Sequence, residues 1–334
     1  MNNMRIGIVG AGNWGTSIAI YLEKEGRTPV LYEYFPERVE RLRNERENKE
    51  FLPGYNISEN ILITNEPEEI VEDSDVIFFI QPSHTLKNVV SLFSEYIKDE
   101  IIVSFAKGID PETLQCMSDI LEEELSFQKD KIVVVSGPSI AREVVRGVPT
   151  TLVAASKDIK RAEIVQNLLS GSRMRIYTSL DIVGVELGGA LKNVYAIASG
   201  ICDGMNLGMN TKAALLTRSM AELSRLGIMM GGEKQTFAGL SGFGDLIVTS
   251  FSPHSRNRTV GERLGKGESL KNILDDMIEV AEGVRTTKST VRLSVEYNIE
   301  MPVAREVFNV LFEGKSPRDS ILDLMQRGLK MEKR

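Results

Sequence analysis

Lys192 lies in a run of small and apolar residues at positions 184–200, Gly-Val-Glu-Leu-Gly-Gly-Ala-Leu-Lys-Asn-Val-Tyr-Ala-Ile-Ala-Ser-Gly. Desolvation in such surroundings disfavours an ammonium ion and lowers the pKa of the lysine, so the side chain can exchange protons near neutral pH. The run therefore indicates a general acid or base. The alternative is a lysine whose stem packs on apolar surface while its head reaches water, and this residue alone does not decide between the two.

Three more charged residues could act with this lysine. Lys107 directly follows an apolar, strand-like run, where a structural role gives no reason for a cation, while Asp245 follows three glycines and Arg256 stands in the sequence Ser-Arg-Asn-Arg at 255–258. Asp245 could instead cap a helix, and Arg256 could be a surface charge. Together the residues predict a net-positive pocket for an anionic substrate with hydroxyl groups, because arginine binds phosphate bidentately and lysine transfers protons.

The start of the chain carries the pattern G-x-G-x-x-G at Gly10, Gly12 and Gly15, between a strand-like run at 5–9 and a helix-like run at 16–24. In this context Gly10 makes a tight turn, Gly12 admits a pyrophosphate and Gly15 lets the helix pack on the strand. A second predicted strand ends at Glu33, 18 positions after Gly15, where a carboxylate meets the adenosine ribose hydroxyls. The pattern predicts a dinucleotide site, and a structural glycine turn is the alternative.

Composition excludes several classes of function. A net charge of −7 over 334 residues argues against a nucleic-acid or anionic-membrane partner. The two cysteines, Cys116 and Cys202, are expected to be core thiols, and His84 and His254 are expected in loops, so no metal site is predicted. No apolar run approaches the ~18–20 residues of a membrane span. We expect a cytoplasmic protein.

The elements that position these residues follow from the alternation of apolar and amphipathic runs up to about residue 179, after which only helical patterns continue. This order predicts an α/β protein, with an N-terminal Rossmann-type doubly wound sheet and an all-helical C-terminal domain. We divide it into a dinucleotide-binding domain, 1–181, and a substrate-binding and catalytic domain, 182–334. Beyond the two strands above, the predicted strands are 61–64, 76–80, 101–106, 132–136, 151–154 and 174–177, and the clearest predicted helices are 211–226, 271–282 and 302–312.

Polar segments follow three of these strands. They are Gln81-Pro-Ser83, Lys107-Gly108 and Ser136-Gly-Pro-Ser-Ile-Ala141. Ligands of open α/β sheets bind at the carboxyl ends of the strands, so these segments are expected to line a ligand site. For the two segments that contain proline, turn formation is an equal alternative.

Five separated motifs are similar, in order, to the signature set of the NAD(P)-dependent glycerol-3-phosphate dehydrogenases, and they span nearly the whole chain. They are Gly10-Ala-Gly-Asn-Trp-Gly-Thr16, Ser136-Gly-Pro-Ser-x-Ala141, Gly184-Val-Glu-Leu-Gly-Gly-Ala-Leu-Lys-Asn193, Gly239-Leu-x-Gly-x-Gly-Asp245 and Ser255-Arg-Asn257, with Phe51-Leu-Pro53 and Ala281-Glu-Gly283 fitting as well. The resemblance implies reversible hydride transfer between NAD(P)H and dihydroxyacetone phosphate, giving sn-glycerol 3-phosphate for glycerophospholipid synthesis. It also implies a homodimer.

Carried onto this sequence, the resemblance implies that Lys192 is the catalytic acid or base. The implied substrate-binding residues are Lys107, Gly137, Ser139, Asn193, Asp245, Ser255, Arg256 and Asn257. The cofactor-binding residues, from the glycine pattern and the resemblance together, are Gly10, Gly12, Asn13, Trp14, Gly15, Glu33, Tyr34, Lys107, Ala141, Arg256 and Glu282. The cofactor is expected to be NAD(H), with NADP(H) left open, and no metal is expected.

One departure from the family pattern affects the choice of cofactor. Bacterial members often carry an arginine just after the second strand, which suits the 2′-phosphate of NADPH, whereas this chain has Tyr32-Glu-Tyr-Phe35 there. NADH is therefore favoured. Two other interpretations stay open: a two-domain dehydrogenase of a β-hydroxyacid, and a nucleotide-binding redox sensor without catalysis.

Overall fold

A computed structural model describes residues 4–72, 74–126, 131–329 and 331–332. In these residues the strands are β1 (Ile6–Val9), β2 (Val30–Tyr32), β3 (Leu62–Thr64), β4 (Val76–Phe79), β5 (Ile101–Ser104), β6 (Ile132–Ser136), β7 (Thr150–Ala155) and β8 (Met174–Ser179). They form one sheet in the order β3-β2-β1-β4-β5-β6-β7-β8. The order reverses between β1 and β4, which is where a doubly wound sheet opens its ligand crevice.

Helices cover both faces of this sheet, and the described residues after β8 form helices without further strands. They are α1 (Asn13–Lys24), α2 (Pro36–Glu45), α3 (Pro67–Glu72), α4 (Ser83–Phe93), α5 (Met117–Leu125), α6 (Ala141–Val145), α7 (Ile159–Leu169), α8 (Ile182–Gly204), α9 (Gly208–Met229), α10 (Lys234–Phe237), α11 (Asp245–Phe251), α12 (Arg256–Gly265), α13 (Leu270–Asp275), α14 (Glu282–Glu296), α15 (Pro302–Phe312) and α16 (Pro317–Met325). A short π-helix, Leu240–Gly244, precedes α11. The predicted fold class is confirmed.

The strands at the centre of the sheet are continuous apolar runs because both faces are covered. All residues of β1, β4 and β5 are buried, as parallel strands with helices on each side require. Neighbouring strands pair in parallel except β6 and β7, which are antiparallel. This reversal was not predicted, because an apolar run does not disclose the direction in which it pairs.

The turn after β1 requires its glycines. Gly10 has φ +116°, and a Cβ there would lie 2.5 Å from the carbonyl oxygen of Ile80. A Cβ at Gly15 would lie 1.9 Å from the carbonyl oxygen of Gly10, so α1 packs directly on the turn. At Gly12 a Cβ would meet no atom within 4 Å. The turn is therefore closely packed at Gly10 and Gly15, and it leaves open space beside Gly12, at the N-terminus of α1.

Helix α8 is the axis of the helical part. Nearly all of its residues are buried, as expected of a helix that is apolar on every side, and it packs against α9, α11, α12 and α14. The Asp181 carboxylate caps it by accepting a hydrogen bond from the Gly184 N–H at 2.8 Å. A Cβ at Gly189 would lie 2.4 Å from Ser136 Oγ, so α8 touches the carboxyl end of β6.

Two local predictions are wrong. The predicted helix 271–282 ends at Asp275, and Glu282 instead begins α14; the intervening residues 276–281 leave the helix, and Glu279 among them contacts Asn13 and Arg256. His84 lies in the first turn of α4 rather than in a loop. By contrast, the predicted helix 302–312 agrees with α15 at both ends, and the predicted helix 211–226 lies inside the longer α9.

Within the described residues, no helix combines the length and the apolar character needed to cross a bilayer. The same residues bring together no group of three or more His, Cys, Asp and Glu side chains that could hold a metal. Both cysteines are buried, as predicted.

Candidate active site

Two lysines from different parts of the fold meet on one buried carboxylate. Lys192 Nζ, from α8, donates to Asp245 Oδ1 at 2.5 Å, and Lys107 Nζ, just beyond β5, donates to Asp245 Oδ2 at 2.8 Å. The Asp245 side chain is 1% exposed and that of Lys192 is 7% exposed. The structure therefore brings together three residues that are 53 and 138 positions apart in sequence. Their polar groups form a compact cluster with a net positive charge.

The segment before Asp245 is folded so that this carboxylate points at the lysines. It forms the π-helix Leu240–Gly244, a rare type of turn that is frequent at functional sites. A Cβ at Gly188 would lie 2.8 Å from the carbonyl oxygen of Ser241, so this segment rests directly on α8. Asp245 opens α11, but its carboxylate is bound by the lysines. The alternative that Asp245 only caps a helix is wrong.

Burial lowers the pKa of Lys192 to about 7, opposed by the Asp245 carboxylate and reinforced by the positive charge of Lys107. The alternative of an ammonium group that reaches water is wrong, because Nζ also donates to Thr249 Oγ1 at 2.7 Å in the buried site. Sequence reasoning missed Thr249 as a site residue. Its position in α11, four residues after Asp245, puts both on one face of a helix and could have indicated it.

Lys107 links this cluster to the loop after β6. Its Nζ donates to the carbonyl oxygen of Gly137 at 3.0 Å and to Ser139 Oγ at 3.1 Å. Both loop residues had been predicted to lie near the substrate. Lys107 is 20% exposed at its side chain, so it forms the partly open wall of the cluster. The polar segments after β5 and β6 therefore do more than form turns.

Two asparagines extend the site from α8 to α12. Asn257 Nδ2 donates to Asn193 Oδ1 at 2.9 Å, and Asn257 Oδ1 accepts from the Gly283 N–H at 2.8 Å. Ser255 is the N-cap of α12 and accepts a hydrogen bond from the Arg258 N–H at 3.2 Å. The first turn of α12, which leaves N–H groups free to bind an anion, therefore lies next to Lys192 and Asn193.

Arg256 lies at the mouth of the site rather than in its interior. Its side chain is 42% exposed and pairs with Glu279, at 3.2 Å between Nη1 and Oε2. The same carboxylate accepts hydrogen bonds from Asn13 Nδ2, at 3.1 and 2.8 Å. Glu279 thus joins the first residue of α1 to the first residue of α12. Sequence reasoning missed Glu279, because it lay within the predicted helix 271–282.

Three of the predicted cofactor residues, Trp14, Ala141 and Glu282, lie in the first turns of α1, α6 and α14. Trp14 packs edge-on against Phe105, with 6.3 Å between the ring centroids, and Ala141 begins α6. Glu282 accepts from the Ser83 N–H at 2.8 Å and from Ser83 Oγ at 2.5 Å, which connects the start of α14 to the start of α4. The open space at Gly12, at the N-terminus of α1, suits a pyrophosphate. The residues present therefore fit a dinucleotide.

At the end of β2, Glu33 does not stand as an isolated negative charge. Its side chain is 6% exposed, lies 3.5 Å from the Arg38 guanidinium and accepts from the Phe35 N–H at 3.2 Å. Burial raises the pKa of the Glu33 carboxyl, with Arg38 opposing the shift. Arg38 itself stacks 4.6 Å from the centroid of the Phe51 ring. Tyr34 is 54% exposed beside them.

A Rossmann-type sheet whose carboxyl edge meets a buried lysine of near-neutral pKa defines an NAD(P)-dependent oxidoreductase. Two family models match the chain, "NAD-dependent glycerol-3-phosphate dehydrogenase N-terminus" over residues 5–162 and the corresponding "C-terminus" over residues 181–322. The chain belongs to the NAD-dependent glycerol-3-phosphate dehydrogenase family. The cofactor is accordingly NAD(H) or NADP(H).

Individual relatives match over the full length. Glycerol-3-phosphate dehydrogenase [NAD(P)+] of Syntrophotalea carbinolica is 44% identical, with 98% of this chain and 99% of the relative covered. That of Fusobacterium nucleatum is 42% identical, with 98% of each covered. The crystal structure of glycerol-3-phosphate dehydrogenase from Coxiella burnetii superposes with a TM-score of 0.93 at 33% identity, covering 98% of this chain and 100% of the other.

Proposed function

We propose that this enzyme catalyses the reversible hydride transfer between NAD(P)H and dihydroxyacetone phosphate, giving sn-glycerol 3-phosphate. The observation that carries the proposal is the convergence of Lys192 and Lys107 on the buried carboxylate of Asp245. When bound, the nicotinamide supplies or receives the hydride at C4. The protein contributes orientation, charge stabilisation and exclusion of water.

Lys192 is the proton donor in reduction and the proton acceptor in oxidation. Burial lowers its pKa to about 7, and a pKa near neutrality lets a side chain act as both general acid and general base at neutral pH. In reduction, the Lys192 ammonium donates its proton to the oxygen at C2 as the hydride arrives at carbon. Asp245 holds the ammonium in place through Oδ1, and Lys107 adds positive charge beside the developing alkoxide.

The phosphate group is bound at the start of α12. Arg256 donates to its oxygens in a bidentate manner, and Asn257 and the free N–H groups of the first helical turn complete the site. Ser255 defines that turn as its N-cap. Asn193, hydrogen-bonded to Asn257, and the loop residues Gly137 and Ser139 contact the remaining polar atoms of the substrate.

For the cofactor, we propose that the pyrophosphate binds over Gly12 at the start of α1 and that NADH is preferred over NADPH. The support is the carboxylate of Glu33 at the end of β2 and the absence of an arginine at Tyr34. Arg38 weakens this preference, because its guanidinium stands 3.5 Å from the Glu33 carboxylate and would attract a 2′-phosphate.

The wider context belongs to the same proposal. We divide the chain into a dinucleotide-binding domain, 1–181, and a substrate-binding and catalytic domain, 182–334, and we propose a cytoplasmic homodimer that supplies glycerol 3-phosphate for phospholipid synthesis. These points rest on the family relationship. Size-exclusion chromatography with light scattering tests the dimer, and complementation of a glycerol-auxotrophic bacterial strain tests the metabolic role.

The decisive experiment follows the nicotinamide absorbance while the purified enzyme is incubated with NADH and dihydroxyacetone phosphate. We expect turnover with this substrate and very little with unphosphorylated dihydroxyacetone. Turnover of a β-hydroxyacid with NAD+ in its place would favour the other dehydrogenase class. Binding of NADH without turnover of either substrate would favour a redox sensor.

A further inference from the structure

A second carboxylate, at the C-terminal end of α8, binds two basic side chains. Asp203 accepts hydrogen bonds from Lys212 Nζ at 3.0 and 2.8 Å and from Arg258 Nε at 2.7 Å. Lys212 is only 4% exposed, and its ammonium lies 4.2 Å from the centroid of the ring of Phe251, the last residue of α11. We call Asp203, Lys212 and Arg258 the Asp203 cluster. It joins α8, α9 and α12.

The Asp203 cluster spans the contact between α8 and α12. A Cβ at Gly200 would lie 2.0 Å from the carbonyl oxygen of Arg258, and one at Gly261 would lie 1.9 Å from that of Ile197. The two backbones are therefore in direct contact. This glycine seam fixes the separation of the two helices and limits how far one can shift along the other, because no Cβ fits at these positions. Directional contacts at the start of α12 add to the register that helix packing sets.

The first turn of α12 makes two such contacts with α8. One is the neutral hydrogen bond from Asn257 to Asn193, and the other is the charge-assisted bond from Arg258 to Asp203. Charge-assisted hydrogen bonds are about twice as strong as neutral ones. Lys212 holds the Asp203 carboxylate from the opposite helix, α9, so the acceptor is itself fixed in position.

We propose that Arg258, bound to the Asp203 carboxylate that Lys212 also holds, is a positioning residue that helps to set the register of α12 on α8 and so directs Arg256 and Asn257 at the substrate phosphate. This inference rests on the proposed function, because it assumes that these residues bind the phosphate. Arg258 is two positions after Arg256 in the same helical turn, so a shift of the turn moves both. An error of about 1 Å at a positioned group can cost up to ~10²-fold in rate.

The chain offers a matched control on the same helix. Arg263 is also in α12 and also pairs with two carboxylates, donating to Glu268 at 2.9 Å through Nε and to Asp276 at 2.7 Å through Nη2. These partners lie in the segments after α12 rather than on α8. Arg263→Met therefore removes a comparable pair without affecting the contact between α8 and α12.

The test measures the binding of inorganic phosphate to the full-length enzyme by phosphorus NMR titration, together with KM for dihydroxyacetone phosphate. We expect Arg258→Met to weaken phosphate binding and to raise KM by about tenfold or more, with the pH midpoint of kcat unchanged. Arg263→Met should match the wild type within about twofold. Arg258→Lys, which keeps a charge for Asp203, should recover part of the loss. In an Arg256→Ala background, Arg258→Met should add little.

Equal phosphate affinity in Arg258→Met and Arg263→Met overturns the proposal, as does an undiminished effect of Arg258→Met in the Arg256→Ala background. If Arg258→Met does not fold, Arg258→Lys against Arg263→Lys decides the question in the same way. Absence of turnover in the wild type would defeat the proposed function, but phosphate affinity would still decide the role of Arg258. A wild type that turns over dihydroxyacetone phosphate but binds no inorganic phosphate would overturn the role of Arg258 and leave the proposed function standing.

Discussion

Each end of the site pairs a basic side chain with a carboxylate, but the two pairs differ in how far they are buried. At the proton-transfer end, Lys192 and Asp245 are 7% and 1% exposed, whereas at the anion end, Arg256 and Glu279 are 42% and 26% exposed. Desolvation changes the pKa of a buried lysine by several units, but a half-exposed pair is screened by water and contributes little to stability. Burial therefore suits the proton transfer that we propose at one end, and exposure suits the exchange of Glu279 for a ligand that we propose at the other.

The largest effect is expected at the buried end. Lys192→Ala removes the proton donor and the positive charge next to the developing alkoxide, so kcat should fall by at least ~10²-fold. Steady-state kinetics with dihydroxyacetone phosphate measure the fall, and NADH affinity, followed by fluorescence, should change little. Lys266→Ala, at an exposed lysine that follows α12 and pairs with Glu262, serves as the control. A Lys192→Ala enzyme that keeps most of its turnover would refute the assignment.

The anion end should respond differently. Arg256→Ala is expected to lower kcat/KM for dihydroxyacetone phosphate by ~10²-fold, about 3 kcal/mol, because a charge-assisted pair to the phosphate is lost. Arg256→Lys should already be harmful, since it cannot reproduce the bidentate geometry. The small activity on unphosphorylated dihydroxyacetone should hardly change. If both substrates lose activity in equal proportion, Arg256 supports the fold or the cofactor, and Lys107 becomes the next candidate for the phosphate.

The pH dependence tests the buried end in particular. Because the pKa of Lys192 is lowered to about 7, reduction, which needs the ammonium form, should slow above pH 7, by about tenfold per unit once the amine dominates. Oxidation of glycerol 3-phosphate needs the free amine and should slow below pH 7. Rate profiles in both directions measure this, and profiles flat from pH 6 to 9 would contradict the role of Lys192.

The smallest effect concerns the cofactor. We expect a higher kcat/KM with NADH than with NADPH, because the Glu33 carboxylate repels a 2′-phosphate. Glu33→Ala should narrow the difference by a few-fold, since it removes that repulsion and one of the two carboxylates, of Glu33 and Glu50, that pair with the Arg38 guanidinium. Parallel assays with the two cofactors measure the ratio. Equal efficiencies in the wild type, or an NADPH preference that survives in Glu33→Ala, would show that Arg38 governs this position.

Sequence patterns predicted those parts of the fold that depend on a single residue property, such as continuous apolar character or the lack of a side chain at glycine. Apolar runs disclosed the buried strands, and the glycine pattern disclosed the turn after β1, because backbone contacts such as that of Gly10 with Ile80 admit no other residue. They also singled out Lys107, Lys192 and Asp245 individually. That both lysines would share one carboxylate depends on three-dimensional placement, which spacing alone does not give.

The residues that were missed depend on contacts made over long distances. Glu279 is engaged by Asn13, 266 positions away, and a helical pattern in 271–282 concealed the loop that allows this. The pairing of Glu33 with Arg38 could have been inferred from their closeness in sequence. The burial of the Glu33 side chain, which raises the pKa of its carboxyl, could not. The antiparallel pairing of β6 and β7 depends on the path of the connection between them.

The burial of Lys192 also has a consequence for the stability of the whole chain. In the unfolded chain this lysine titrates near ~10.4, whereas in the folded protein burial lowers its pKa to about 7. Between these values the unfolded state binds the proton more tightly, so the free energy of unfolding rises as pH increases from about 7 and is lowest where the folded lysine is charged. The proposed proton-transfer role of Lys192 and thermal stability therefore make opposite demands on this position, a trade-off between activity and stability that is common at active sites.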